Sequence, residues 1–232
     1  MVPGTYTLIT TPTTVNGIQY VGAGAVNSVT GSTSTITFDY PADRQANDVL
    51  ILVVQQDDNG THITFPPAGW TTINNSTNAG FWLFAAYQVY SSGTGLTVNT
   101  SGIDHVIGQI FGFRGVNTGT VIDGSVATSF TRASGSPNPF NFTNVTTTAA
   151  NSFVCNVVGH DIDTSTASIT WNANSSLTSP VEISDVSTQN GWNGGFSLYG
   201  GLKTTAGAVN NATGNYKADS YKKFIGWALK AA

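Results

Sequence analysis

The 232 residues are 40% hydrophobic but only 9% charged, with a net charge of −4 and one cysteine. A sizeable core can be buried, while the surface must be built from Thr, Ser, Asn and Gly in place of the roughly 25% charge of an ordinary soluble domain. These numbers argue against a basic nucleic-acid face and against an intrachain disulfide or cysteine metal site. No apolar run approaches the ~20 residues of a membrane helix.

Residues 1–33 open with MVPGTYTLITTPTT, which lacks the basic segment and long apolar stretch of an export signal. Two weak strand signals, TYTLIT and IQYVGAGAV, predict an N-terminal arm that adds one strand to the fold. Residues 1–20 are expected to reach a partner protein by strand addition. Residues 35–40 (TITFDY) alternate apolar and polar side chains, and residues 48–54 (DVLILVV) form a continuous β-branched run. The first pattern is a half-buried strand; the second is a strand buried on both faces or at a sandwich centre.

The segment ITFPPAGWTTI, residues 63–73, reads as a corner. Pro66-Pro67 stops ladder pairing and Gly69 permits a sharp reversal. Trp70 is expected to fold back as a lid over one end of the core; the sharper alternative presents it for stacking on a sugar ring. Strands follow at residues 81–90 and 106–114. Arg114 and Asp123, in FRGVN…VIDG, read as a charged pair anchoring a crossover, with Arg114 alternatively contacting a neighbouring subunit. Cys155, in SFVCNVV, reads as a small buried hydrophobe. Four of the five lysines, Lys217, Lys222, Lys223 and Lys230, fall in the last 16 residues. They are expected to line the exposed face of a final strand, where they discourage edge aggregation.

The chain matches itself once. ITFDY…ANDVLILVV of residues 36–54 corresponds to FNFT…ANSFVCNVV of residues 140–158, and Ile63-Thr64-Phe65 to Ile169-Thr170-Trp171. Phe84, Tyr87 and Gly95 align with Phe196, Tyr199 and Gly207 at constant spacing. The two halves, residues 34–125 and 139–232, each hold four or five strands and cannot close their own apolar faces. The expected architecture is all-β: a two-sheet β-sandwich, jelly-roll-like, of repeated halves paired over one core.

The order ANDVLILVV…ITFPPAGWTTI…FRGVN…VIDGS, closing with FIGWALKAA, resembles a β-sandwich module of tailed-phage virion structural proteins and some bacterial surface proteins. The likeness covers residues 34–232. Asn47 stands where that module often has Gly, and the chain ends in Ala231-Ala232 without its Pro. The resemblance implies a fold and a virion or surface setting, and no catalytic residues.

Little else points to chemistry. Neither HExxH, GxSxG, a P-loop nor GxGxxG is present. The histidines are His62, His105 and His160, and Glu182, the sole glutamate, lies in a segment that reads as strand edge. Asp57, Asp58, Asp161 and Asp163 follow the central strand of each half, and such oxygen-rich turns suit Ca²⁺ as well as plain solvated turns. Trp192, in QNGWNGG, joins Trp70 as a candidate for glycan stacking. The leading expectation is a non-enzymatic protein on the exterior of a tailed-phage virion, as capsid decoration or a tail, collar or fibre part, acting by rigid display in symmetric copies. The alternative is a glycan-binding module on a host or cell surface. No organic cofactor, nucleic acid or membrane insertion is expected.

Overall fold

The computed structural model describes residues 17–30, 35–57, 63–78, 81–100, 103, 105–133, 138–161, 169–188, 194–216 and 220–232. All regular structure among them is strand. The first half contributes β1 (Gln19–Ala23), β2 (Asn27–Thr30), β3 (Thr35–Asp39), β4 (Val49–Asp57), β5 (Thr71–Asn78), β6 (Phe81–Val89), β7 (Gly95–Asn99) and β8 (His105–Arg114). The second contributes β9 (Ala127–Ala133), β10 (Asn138–Phe142), β11 (Thr146–Thr147), β12 (Ser152–His160), β13 (Ile169–Trp171), β14 (Thr178–Thr188), β15 (Gly194–Lys203), β16 (Gly207–Ala208), β17 (Ala212–Tyr216) and β18 (Ser220–Leu229).

Each half, counted with the strands just ahead of it (β1 and β2 before residue 34, β9 before residue 139), builds one large antiparallel sheet. The first runs β1-β8-β4-β6-β5, with β2 continuing the β1 edge along β8; the second runs β14-β15-β12-β18-β9. Read in chain order, successive strands take corresponding places in both sheets. Within residues 1–33, the expected arm with an additional strand, β1 and β2 lie against β8, and residues 1–16 and 31–33 lie outside the described residues.

The two large sheets pack face to face in a β-sandwich-like arrangement. Val49, Ile51, Val53, Leu83 and Phe111 of one sheet meet Cys155, Val157, Phe196, Ile225 and Trp227 of the other in a shared core. The expectation of one core falls short, because each sheet is also covered on its outer face. The pair β3-β7 lies over the first sheet and encloses Phe38, Leu50, Leu52, Val54 and Phe84. The trio β10-β17-β13 lies over the second and encloses Phe140, Phe142, Val158, Tyr216 and Phe224. Three apolar layers therefore stack between four layers of strands. This explains why residues 49–54 are wholly buried: β4 is central in its sheet and covered on both faces.

Asn47 and Asn151, each just before a central strand, take the left-handed conformation with φ of 71° and 59°. Asparagine is among the few side chains that visit it routinely. That accounts for an Asn at Asn47.

Two sequence expectations are corrected. In the ladder Val54 faces Phe84, while Val158 faces Ser197. Phe84 packs in the outer core and Phe196 in the shared core, so the constant-spacing alignment is one residue out of register, which in a strand exchanges faces. Second, β18 lies between β12 and β9 rather than at an edge. Lys222 and Lys223 are 0% exposed; their long stems run beneath the neighbouring layers. Lys217 lies outside the described residues, and Lys230 is half-buried.

Candidate functional site

The central strands β4 and β12 finish at the same end of the sandwich. A Cβ added at Gly159 would touch Leu83 and Phe81, which face Gln55 and Asp57 on β4. Asp57 is the last residue of β4, opposite Phe81 and His105. Asp161 directly follows β12 and accepts a hydrogen bond from the Tyr221 amide at 2.9 Å. Asp58, Asp163, Trp192 and His62 lie outside the described residues. Among the described residues, no three of His, Cys, Asp and Glu come together as metal ligands.

Beneath β17 this end holds a cluster of buried polar side chains. His160 and Lys222 are register partners on β12 and β18, both 0% exposed. The Tyr216 ring covers them. It meets the His160 ring edge-on at 6.0 Å, and Lys222 Nζ lies 4.5 Å from its centroid. Burial drives the His160 pKa down from 6.5 to about 3, so the imidazole is neutral at neutral pH. Burial, then the carboxylates of Asp185 and Asp161, push the Tyr216 hydroxyl well above its usual value. The Ile169 amide donates to Asp185 Oδ2 at 3.4 Å, tying β13 to β14. Between the large sheets, Lys223 donates to the Phe81 carbonyl, clamping β18 to β6.

The opposite end carries the connector between the halves. Arg114 donates from Nε to Asp48 Oδ1 at 2.9 Å and from Nη2 to Asp48 Oδ2 at 2.8 Å, and Nη2 also reaches the Asp43 carbonyl at 3.0 Å. Asp123 does not meet Arg114. It accepts hydrogen bonds from the Thr148 amide and hydroxyl, the Ala149 amide and the Ser152 hydroxyl. Burial raises the Asp123 pKa, but these donors outweigh it and the net shift is downward. The charged pair read from the sequence is therefore two separate anchors, because Asp48 and Ser152 sit beside the starts of β4 and β12 and each draws its own partner. Gln45, Asn47, Asp48, Arg114, Asn117 and Ala232 line an open cleft of ≈ 570 Å³ here.

Trp70 is 6% exposed and packs in the outer core of the first half, its ring 6.4 Å from Tyr40. Its amide closes a turn on the Pro67 carbonyl at 3.0 Å, with Gly69 at φ 82°. An indole so enclosed offers no face to a sugar ring, so the lid is the role its position supports. In the second half Leu177 closes the matching turn on the Asn174 carbonyl at 3.1 Å and is likewise buried.

Sequence reasoning passed over Trp171. It stacks on Tyr199 at 5.1 Å and donates to Ser197 Oγ at 2.7 Å, which in turn donates to Glu182 at 2.8 Å. Glu182 does lie on an edge strand, β14. Outside this network, the outward face of β10-β17-β13 is a neutral lattice. Asn211 donates to Asn141 at 2.7 Å, and Asn172 to Thr213 at 3.2 Å. Comparison of the chain with protein families, with curated proteins and with solved structures gives no match.

Proposed function

We propose that this is a non-enzymatic structural protein displayed on the exterior of a tailed-phage virion, as capsid decoration or as part of a tail, collar or fibre. In this reading the two halves are copies of one jelly-roll-like unit joined back to back. The observation that carries it is the burial of both large sheets on both faces, which makes a stiff four-layer slab. Three interior titratable groups join strands: Asp123 on residues 148–152, Lys223 on β6, Asp185 on β13. A low-charge coat of amides and hydroxyls suits partly wet contacts with neighbouring subunits.

The test is immunogold labelling of particles released from the source cells, using antibodies raised against the purified chain. Regular labelling of intact particles supports the reading; label confined to cell envelopes overturns it.

The neutral Asn and Thr lattice on β10-β17-β13 favours a second reading, a module that binds a neutral glycan. Glycan-array binding that is lost in Trp192→Ala or in Asn141→Asp would establish it. Calcium at the Asp57, Asp58, Asp161 and Asp163 turns belongs to either reading, and a thermal shift on adding Ca²⁺ tests it.

A further inference from the structure

The two large sheets have four outer edges, and three are interrupted. The β1/β2 edge breaks between its strands and shifts register between Tyr20 and Gly22. The β5 edge shifts between Thr72 and Asn74. The β14 edge shifts twice, between Thr178 and Val181 and between Glu182 and Ser184, and contains Pro180. Such breaks are how proteins keep an edge from pairing with another chain. The fourth edge, β9, has none. Its seven residues pair with β18 in unbroken register from Ala127 to Ala133, and among the described residues no strand pairs with its other side.

At the centre of this strand is Phe130, one of two large hydrophobic side chains exposed among the described residues, at 36%. Its ring is stacked on Tyr221 at 5.7 Å and 16°, so it is held in place at the rim. An unbroken edge carrying an exposed, ordered aromatic is the signature of a joint.

We propose that β9 is a homodimer joint, in which β9 of a second copy pairs with it antiparallel across a two-fold axis at Phe130. The sequence ATSFTRA complements itself about that centre. Phe130 meets Phe130, Ser129 meets Thr131, Thr128 meets Arg132 and Ala127 meets Ala133. No like charges oppose one another, and an aromatic pair sits on the axis. The contact is isologous and closes, and main-chain hydrogen bonds supply its affinity. Two five-stranded sheets then become one continuous sheet. The joint provides a subunit contact of the kind a displayed protein needs, but rests on the edge geometry alone.

The experiment is light scattering on the full chain over about a hundredfold range of concentration. The wild type is expected to rise to twice the 24.2 kDa chain mass. Phe130→Lys and Phe130→Glu each place like charges on the axis and are expected to stay at the single mass. An equimolar mixture of the two is expected to regain the double mass, and circular dichroism checks that both fold. A wild type that remains monomeric, a dimer unaffected by either variant, another stoichiometry, or a mixture that stays monomeric overturns the proposal. Should either variant not fold, hydrogen exchange on the wild type decides. Amides of residues 127–133 must gain protection as the mass doubles, and unchanged protection overturns the joint. Particle labelling is read independently, so the joint and the virion reading can fail separately.

Discussion

Arg114 grips Asp48 with two parallel hydrogen bonds across 66 residues of chain, from the last residue of β8 to the residue before β4. The carboxylate is 2% exposed while the guanidinium is 33% exposed. The pair is thus asymmetric: the acid depends on the base far more than the reverse.

Arg114→Ala is accordingly expected to cost about 1–3 kcal/mol, the penalty of a buried carboxylate that loses both guanidinium donors and keeps the Gln45 amide at 2.7 Å on Oδ2. Arg114→Lys should recover only part, because an ammonium cannot repeat the fork. Urea unfolding of the two variants measures both, and equal midpoints for Arg114→Ala and wild type would refute the assignment.

His160 makes the fold acid-sensitive. Its folded pKa, about 3, lies below the ordinary 6.5, so below 6.5 the unfolded chain takes up a proton that the folded chain refuses. Stability is therefore full above about pH 6.5 and falls progressively toward pH 3. Asp123, lowered in pKa, adds a further loss below its ordinary 3.8. Thermal melts from pH 7 to pH 4 should show a steep decline in the wild type and a shallower one in His160→Gln.

The left-handed asparagines define a third expectation. Asn47→Gly and Asn151→Gly should fold with little change, whereas Asn47→Val should lose about 1–2 kcal/mol, since a β-branched side chain is strained at φ 71°. Differential scanning calorimetry separates the two outcomes.

The two corner lids give a fourth. Trp70→Ala should cost about 3–5 kcal/mol and Leu177→Ala about 2–5 kcal/mol. Because the lids close different outer cores, the double variant should lose close to the sum. Denaturant titration followed by far-UV circular dichroism reads all three.

Much of the strand inventory is legible in the residues themselves. The run at residues 49–54 and the alternation at residues 35–39 describe β4 and β3 directly, and the PPAGW corner carries its own turn chemistry. The covering layers are harder to see. Alternation in β3 shows that one face is buried, not that it is buried on the back of its own half's sheet. The lysines misled for a similar reason. Composition marks Lys222 and Lys223 as surface residues, and only the layers packed on the faces of β18, Tyr216 over Lys222 and Phe81 against Lys223, make them interior. Arg114 found Asp48 instead of Asp123 because pairing over such distances is decided by where strands begin, which spacing along the chain does not reveal. Trp171, Ser197 and Glu182 come from three strands whose proximity no local pattern encodes.

The position of β18 also bears on how a ribosome delivers this protein. Residues 127–133 leave the ribosome long before residues 220–229, yet β9 pairs only with β18 among the described strands. The connector waits as well: the amides of Asn117 and Asp123 donate to carbonyls of Lys230 and Ala228. Vectorial synthesis therefore leaves β9 and the connector without these partners until β18 emerges to lie between β12 and β9.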